Sequence, residues 1–167
     1  VGTLGGPLLG ALCGPSAAAA APLIQIFGAV RPNPSRVFVA GPPAAVVMAC
    51  LAPERMLGWP MPVSEAAKAL LPVAARDKPM LGRLSGRGST VSLEAMLAMK
   101  PDLIVDTGTV DATYVSTAQR VADQTGVAYA LVDGRLADSA RQLNELGALL
   151  GVPARARALV AFAEEAL

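Results

Sequence analysis

Short apolar runs without polar alternation, each followed by a turn and then a helical pattern, constrain this chain more than any other feature. Arg36–Ala40 (RVFVA), Leu103-Ile104-Val105 between Asp102 and Asp106, and Ala128–Val132 are of this kind. A strand that is apolar on both faces has to be covered on both faces, which is the setting of a parallel sheet between helices. Strands alternating with helices at this spacing need right-handed crossovers. The expected class is therefore α/β, a parallel sheet flanked by helices.

The turn chemistry places the helices. Gly41-Pro42-Pro43 leads from the first run into an apolar helix over Ala44–Leu51, with proline near the first turn, where its missing N–H costs nothing. Met56–Trp59 reads as a second short strand, closed by Pro60, and Ser64 as the N-cap of a helix to Leu71. Pro72–Val91 is mostly loop and holds the glycine-dense stretch Gly82–Thr90. Ser92 then caps Leu93–Lys100, with Leu93, Met96 and Leu97 on one face, and Pro101 stops it. A helix from about Thr113 to Gln124 ends at Gly126, a suitable left-handed cap. Asp138 caps a helix carrying Leu143, Leu146 and Leu150. Pro153 opens a last helix whose stripe reads Leu159, Phe162, Ala163 and Ala166. That stripe runs to the final residue, so the chain is expected to be part of something longer.

Composition removes several function classes. Fourteen Lys+Arg against thirteen Asp+Glu leave a net charge of +1, without the basic footprint of a nucleic-acid binder. The absence of histidine removes Ser-His-Asp and Cys-His catalysis and His-ligated metal. Two cysteines, Cys13 and Cys50, are too few for a thiolate cage, and Cys50, in an apolar run, reads as a small core residue. No catalytic constellation, cofactor site or metal site is expected. Residues 1–30 carry no charge, and their apolar stretch and the alanine run Ala17–Ala21 read as a signal-like or disordered segment with cleavage near Ala19 or Ala21. Gly5, Gly6, Pro7, Gly14 and Pro15 break it too often for a spanning helix of about 20 residues.

The segment SLEAMLAMKPDLIV (Ser92–Val105), entered from a glycine-rich loop, resembles the signature of bacterial substrate-binding proteins for iron-siderophore, haem and cobalamin ABC importers. The likeness runs from about Arg36 to Leu167 and takes in Leu57-Gly58-Trp59, Val132-Asp133-Gly134 and Leu146-Gly147-x-x-Leu150-Gly151. The resemblance implies two Rossmann-like lobes joined by a long helix, with ligand held between them. It makes residues 31–152 the N-terminal lobe and 153–167 the start of the linking helix, with the second lobe missing. It further implies an exported protein, a metal chelate as ligand and a membrane permease as partner. By the same resemblance Glu94 is the acid that docks onto permease arginines; as a first-turn acid it also complements the helix dipole, worth about 0.3–1 kcal/mol.

In an open parallel sheet, ligands gather outside the carboxyl ends of the strands. The loops expected there carry Trp59, Arg83, Arg87, Thr109, Tyr114 and Arg135. Guanidinium groups pair with carboxylate or catecholate oxygens, often bidentately, and Trp59 and Tyr114 offer flat faces to a chelate. Each residue has a plainer use: Arg83 and Arg87 can solvate an exposed loop, Arg135 can pair with Asp133 or Asp138, Trp59 can be core, and Tyr114 can pack its own helix. The rival function is a nucleotide-binding Rossmann-type enzyme domain. It would use the loop Gly82-x-x-x-Gly86-x-Gly88, whose spacing fits neither G-x-G-x-x-G nor a Walker A motif.

Overall fold

The computed structural model describes residues 21–86 and 88–166. The leader-like residues 1–20, with Cys13, and Arg87 lie outside the described residues. Four strands, Ile24–Phe27 (β1), Val37–Val39 (β2), Leu103–Gly108 (β3) and Ala128–Asp133 (β4), form one sheet in the order β1-β4-β3-β2. Strands β2, β3 and β4 are parallel, with Val39 opposite Val105 and Val105 opposite Ala130.

Both faces of these strands are buried, as their apolar runs require. Val37, Val39, Leu103, Val105, Ala130 and Val132 point into one cluster. It is closed by α1 (Pro42–Leu51), α6 (Ser139–Leu149) and α7 (Pro153–Ala166) through Met48, Leu146 and Ala156. Phe38, Ile104, Tyr129 and Leu131 point the other way, against Met96 of α4 (Leu93–Ala98) and Ala118 and Val121 of α5 (Ala112–Thr125). Two short helices, Glu65–Lys68 (α2) and Val73–Arg76 (α3), interrupt the long connection before the glycine-rich loop. The result is a helix–sheet–helix sandwich.

Several helix ends follow the expected chemistry. Ser64 Oγ accepts from the Ala67 amide at 3.2 Å and Ser92 Oγ from the Ala95 amide at 3.0 Å. Gly126 ends α5 at φ 67°, a left-handed conformation that glycine adopts without a Cβ penalty. The N-cap of α5 is Asp111, which accepts from the amides of Thr113 and Tyr114.

Other expectations are corrected. Residues 24–27, assigned to the signal-like or disordered segment, are β1, which pairs antiparallel with β4 and places Ile24 opposite Val132. It covers the edge that β4 would otherwise expose and is tied down by Glu145, which accepts from the Leu23 amide at 2.8 Å. Met56–Trp59 is not a strand: only the bridges Val37–Met56 and Trp59–Met80 form, because Pro60 lacks an N–H to continue a ladder. Asp138 holds the N-cap position of α6 without a side-chain cap hydrogen bond; it ends a 3₁₀ turn, Leu136–Asp138, and its carboxylate pairs with Arg135 and Arg141 instead. Cys50 is exposed, on the outer side of α1. In α7 the inward face is Ala156, Leu159, Val160 and Ala163, and Phe162 is 69% exposed. Gly147 sets that rotation by letting Ala156 approach so closely that a Cβ there would collide with it.

The topology positions the site. From β2 the chain goes through α1 to Met56 on one flank of β2, then returns through α4 to β3 on its other flank. The direction of winding thus reverses between β2 and β3, and crevices form outside the carboxyl ends of the strands at such a point.

Candidate functional site: the carboxyl edge of the sheet

Beyond β3 and β4 lies a cleft of about 530 Å³, lined by Gly108, Thr109, Val110, Asp133, Gly134 and Arg135. Its floor is backbone. The Gly134 amide donates to the Gly108 carbonyl at 2.8 Å, and a Cβ at Gly134 would come within 3.1 Å of Gly108 Cα. Thr109 is exposed on the rim. Arg135, with a side chain 67% exposed, pairs with both acids the sequence offers it: Nε lies 3.1 Å from Asp133 and an outer nitrogen 3.1 Å from Asp138. Those pairs hold the guanidinium in place and leave donors of its planar fork for another acceptor.

Arg83 belongs to a different cleft, of about 350 Å³, with Pro60, Met61, Met80 and Thr90. Its Nε donates to the Gly88 carbonyl at 3.0 Å, while its own carbonyl accepts from the Thr90 amide and the Ser89 hydroxyl. The glycine-rich loop closes on itself in this way ahead of α4, and its glycine spacing is not that of a phosphate-binding loop. Trp59 is a core residue rather than an open platform: it is 8% exposed, and its indole N–H donates to the Ala75 carbonyl at 2.9 Å. Tyr114 is half-buried and packs on the cluster around Phe38. Glu94 is exposed in the first turn of α4, off the buried Met96 side. Of the residues singled out from sequence, Thr109 and Arg135 share one cleft, and Trp59 and Arg83 border separate clefts further along the same edge.

Sequence reasoning missed the buried polar cluster under this edge. Asp106, 2% exposed near the end of β3, accepts from Tyr129 Oη at 2.9 Å, Ser85 Oγ at 3.0 Å and the Thr107 amide at 3.0 Å. Burial pushes its carboxyl above the usual carboxylate range, and the three hydrogen bonds oppose that shift. Burial also pushes the Tyr129 phenol up, and the neighbouring Asp106 charge adds to it. The cluster fastens the glycine-rich loop to the sheet, since Leu84 and Ser85 also donate their amides to the Ala40 carbonyl. Gly41 makes room for it: a Cβ there would lie 2.9 Å from Ser85 Oγ. The available signal was an acid directly following a run buried on both faces, where an unpartnered charge is not tolerated.

Comparison with known proteins agrees with this architecture. The family described as "Periplasmic binding protein" matches residues 60–167. No curated protein matches the chain. Among solved structures, an ABC transporter solute-binding protein from Sulfurospirillum deleyianum is similar over 79% of this chain and 42% of its own, at 20% identity and a TM-score of 0.66. A periplasmic haem-binding protein from Pseudomonas aeruginosa is similar over 79% of this chain and 44% of its own, at 23% identity and a TM-score of 0.52. The siderophore-binding protein BauB, solved with two acinetobactin molecules and ferric iron, is similar over 81% of this chain and 46% of its own, at 18% identity and a TM-score of 0.58. The chain spans less than half the length of each of these structures. It belongs to the periplasmic binding protein family.

Proposed function

We propose that this chain forms the N-terminal ligand-binding lobe of an exported solute-binding protein that serves an ABC importer. The cargo in this reading is a metal chelate, a ferric siderophore first, with haem, cobalamin and nickel chelates as the related classes. The observation that carries it is the cleft at the carboxyl ends of β3 and β4, where a backbone floor lies beside the acid-clamped guanidinium of Arg135. A clamped fork loses little side-chain freedom on meeting a carboxylate or catecholate edge. Thr109 adds a hydroxyl from the opposite rim, and Arg83 adds a guanidinium further along the edge. The neighbours that bind haem and a siderophore support the cargo class.

The rest of the assignment follows the same reading. The segment up to the alanine run Ala17–Ala21 acts as the leader, α7 begins the linking helix, and a second lobe completes the clamp. The chemistry is capture, not catalysis. Glu94 presents the loaded lobe to arginines of the permease. Titration of the chain with ferric siderophores, haem and cobalamin, followed by calorimetry, tests the proposal. One chelate class should bind saturably, and Arg135→Gln should weaken it about tenfold to a hundredfold, the loss of a charge-assisted pair. Saturable ATP or NAD binding in place of any chelate overturns the reading.

A further inference from the structure

We infer a second binding site in this lobe, one for a small anion, between α2, α3 and the wall formed by Trp59 and Met80. Three cationic side chains, Lys68, Arg76 and Lys78, converge on a cleft of about 180 Å³ whose apolar lining includes Trp59, Met61 and Met80. All three are partly buried. Like charges brought together out of bulk water repel one another and lose hydration, so the arrangement calls for a counter-charge.

The protein supplies that counter-charge to Lys68 but not to Arg76 or Lys78 among the described residues. Lys68 is held by Glu65 at 2.7 Å, an acid on the outer side with its side chain 87% exposed. Asp77, between Arg76 and Lys78 in sequence, is exposed, lends its charge to Lys68, and forms no ion pair with Arg76 or Lys78 among the described residues. Arg76 gives one nitrogen to the Leu71 carbonyl at 3.3 Å, while its Nε is buried and has no hydrogen-bond partner among the described residues. A buried donor without an acceptor costs about 1–3 kcal/mol, and guanidinium Nε with its neighbouring nitrogen is the pair that takes an oxyanion side-on. Arg76 and Lys78, neither with an ion-pair partner among the described residues and Arg76 with its Nε unbonded, border this cleft of about 180 Å³. Its volume and charge admit a phosphate ion or a small polycarboxylate such as citrate.

The site is separate from the β3–β4 cleft, because Arg135 and Thr109 line that cleft and none of its residues borders this one. Trp59 is the chain's sole tryptophan and part of the wall, so its fluorescence reports occupancy directly. The experiment titrates the chain with inorganic phosphate and, separately, with citrate, at ionic strength held constant with NaCl. A saturable change in Trp59 emission is expected in at least one arm, and the arm that responds identifies phosphate or carboxylate as the source. Arg76→Gln should weaken that response at least tenfold, and Arg135→Gln should leave it unaltered. If Arg76→Gln fails to fold, Lys78→Gln, which removes a cation with no ion pair among the described residues, carries the same expectation. No saturable response in either arm, or equal affinity in the folded glutamine variant, overturns the inference. Chelate binding can fail or succeed without affecting either result.

Discussion

Asp106 is the residue on which most of the local chemistry turns. Its carboxyl titrates above its ordinary value of 3.8 because it is buried, so the folded chain holds that proton more tightly than the unfolded chain does. The stability this contributes is complete below the ordinary carboxylate range and is lost as pH rises through the raised value. Asp106→Asn cannot titrate. Measured by urea denaturation from about pH 4 to about pH 7, the stability difference between parent and variant should therefore move in the variant's favour; a difference that stays flat contradicts the assignment. The donors matter separately. Tyr129→Phe removes the phenol that donates to Asp106 at 2.9 Å and should cost about 1–3 kcal/mol at neutral pH. Gly41→Ala drives a methyl toward Ser85 Oγ, already fixed on Asp106, and should cost about as much by overpacking.

At the scale of elements, the two ends of α5 give the plainest expectations. Asp111 satisfies two amides of its first turn, so Asp111→Ala should lower stability by about 1 kcal/mol, read from the urea midpoint. Gly126 holds φ 67° in open space, so Gly126→Ala meets no clash and loses only the left-handed preference, about 1 kcal/mol. The rotated face of α7 predicts a contrast. Leu146, which faces it from α6 and is fully buried, should cost about 2–5 kcal/mol on truncation to alanine, whereas Phe162→Ala should change stability by less than about 0.5 kcal/mol.

These elements also mark what could be read in advance. Strands β2, β3 and β4 were legible because residues buried on both faces leave an unbroken apolar run, and Gly126 because so few residues tolerate its backbone. Strand β1 was not: four residues within an uncharged stretch carry no periodic signal, and only pairing with β4 makes them a strand. The face of α7 escaped because two apolar stripes compete along it, and the choice between them depends on Gly147 of another helix. The Asp106 cluster joins residues 21 and 23 positions apart, a separation at which neither periodicity nor capping rules speak. Arg135 was recognised as a residue with two acidic neighbours, but that it would engage both required the 3₁₀ turn.

For the whole molecule, the internal polar anchor at Asp106 and the exposed acid at Glu94 lie in separate parts of the lobe. Glu94 is exposed on α4, beneath the sheet face opposite α1, and makes no ion pair among the described residues. Glu94→Lys should cost no more than about 1 kcal/mol in stability; under the proposed function it should also leave chelate titrations unchanged and weaken association with the proposed permease partner, measured in detergent or nanodiscs. A loss of chelate affinity in that variant would place Glu94 in the cleft instead.

The paired glycines beneath the β3–β4 cleft have a consequence for how such a lobe diversifies. With amide and carbonyl atoms for a base, the bottom of the cup offers the same groups whatever the side chains, so under the proposed function selectivity is tuned at a few positions around its lip. Exchanging Thr109, Val110 or Arg135 should therefore retune preference without disturbing the strands underneath. Selection for a new nutrient and selection for a durable scaffold act on separate residues.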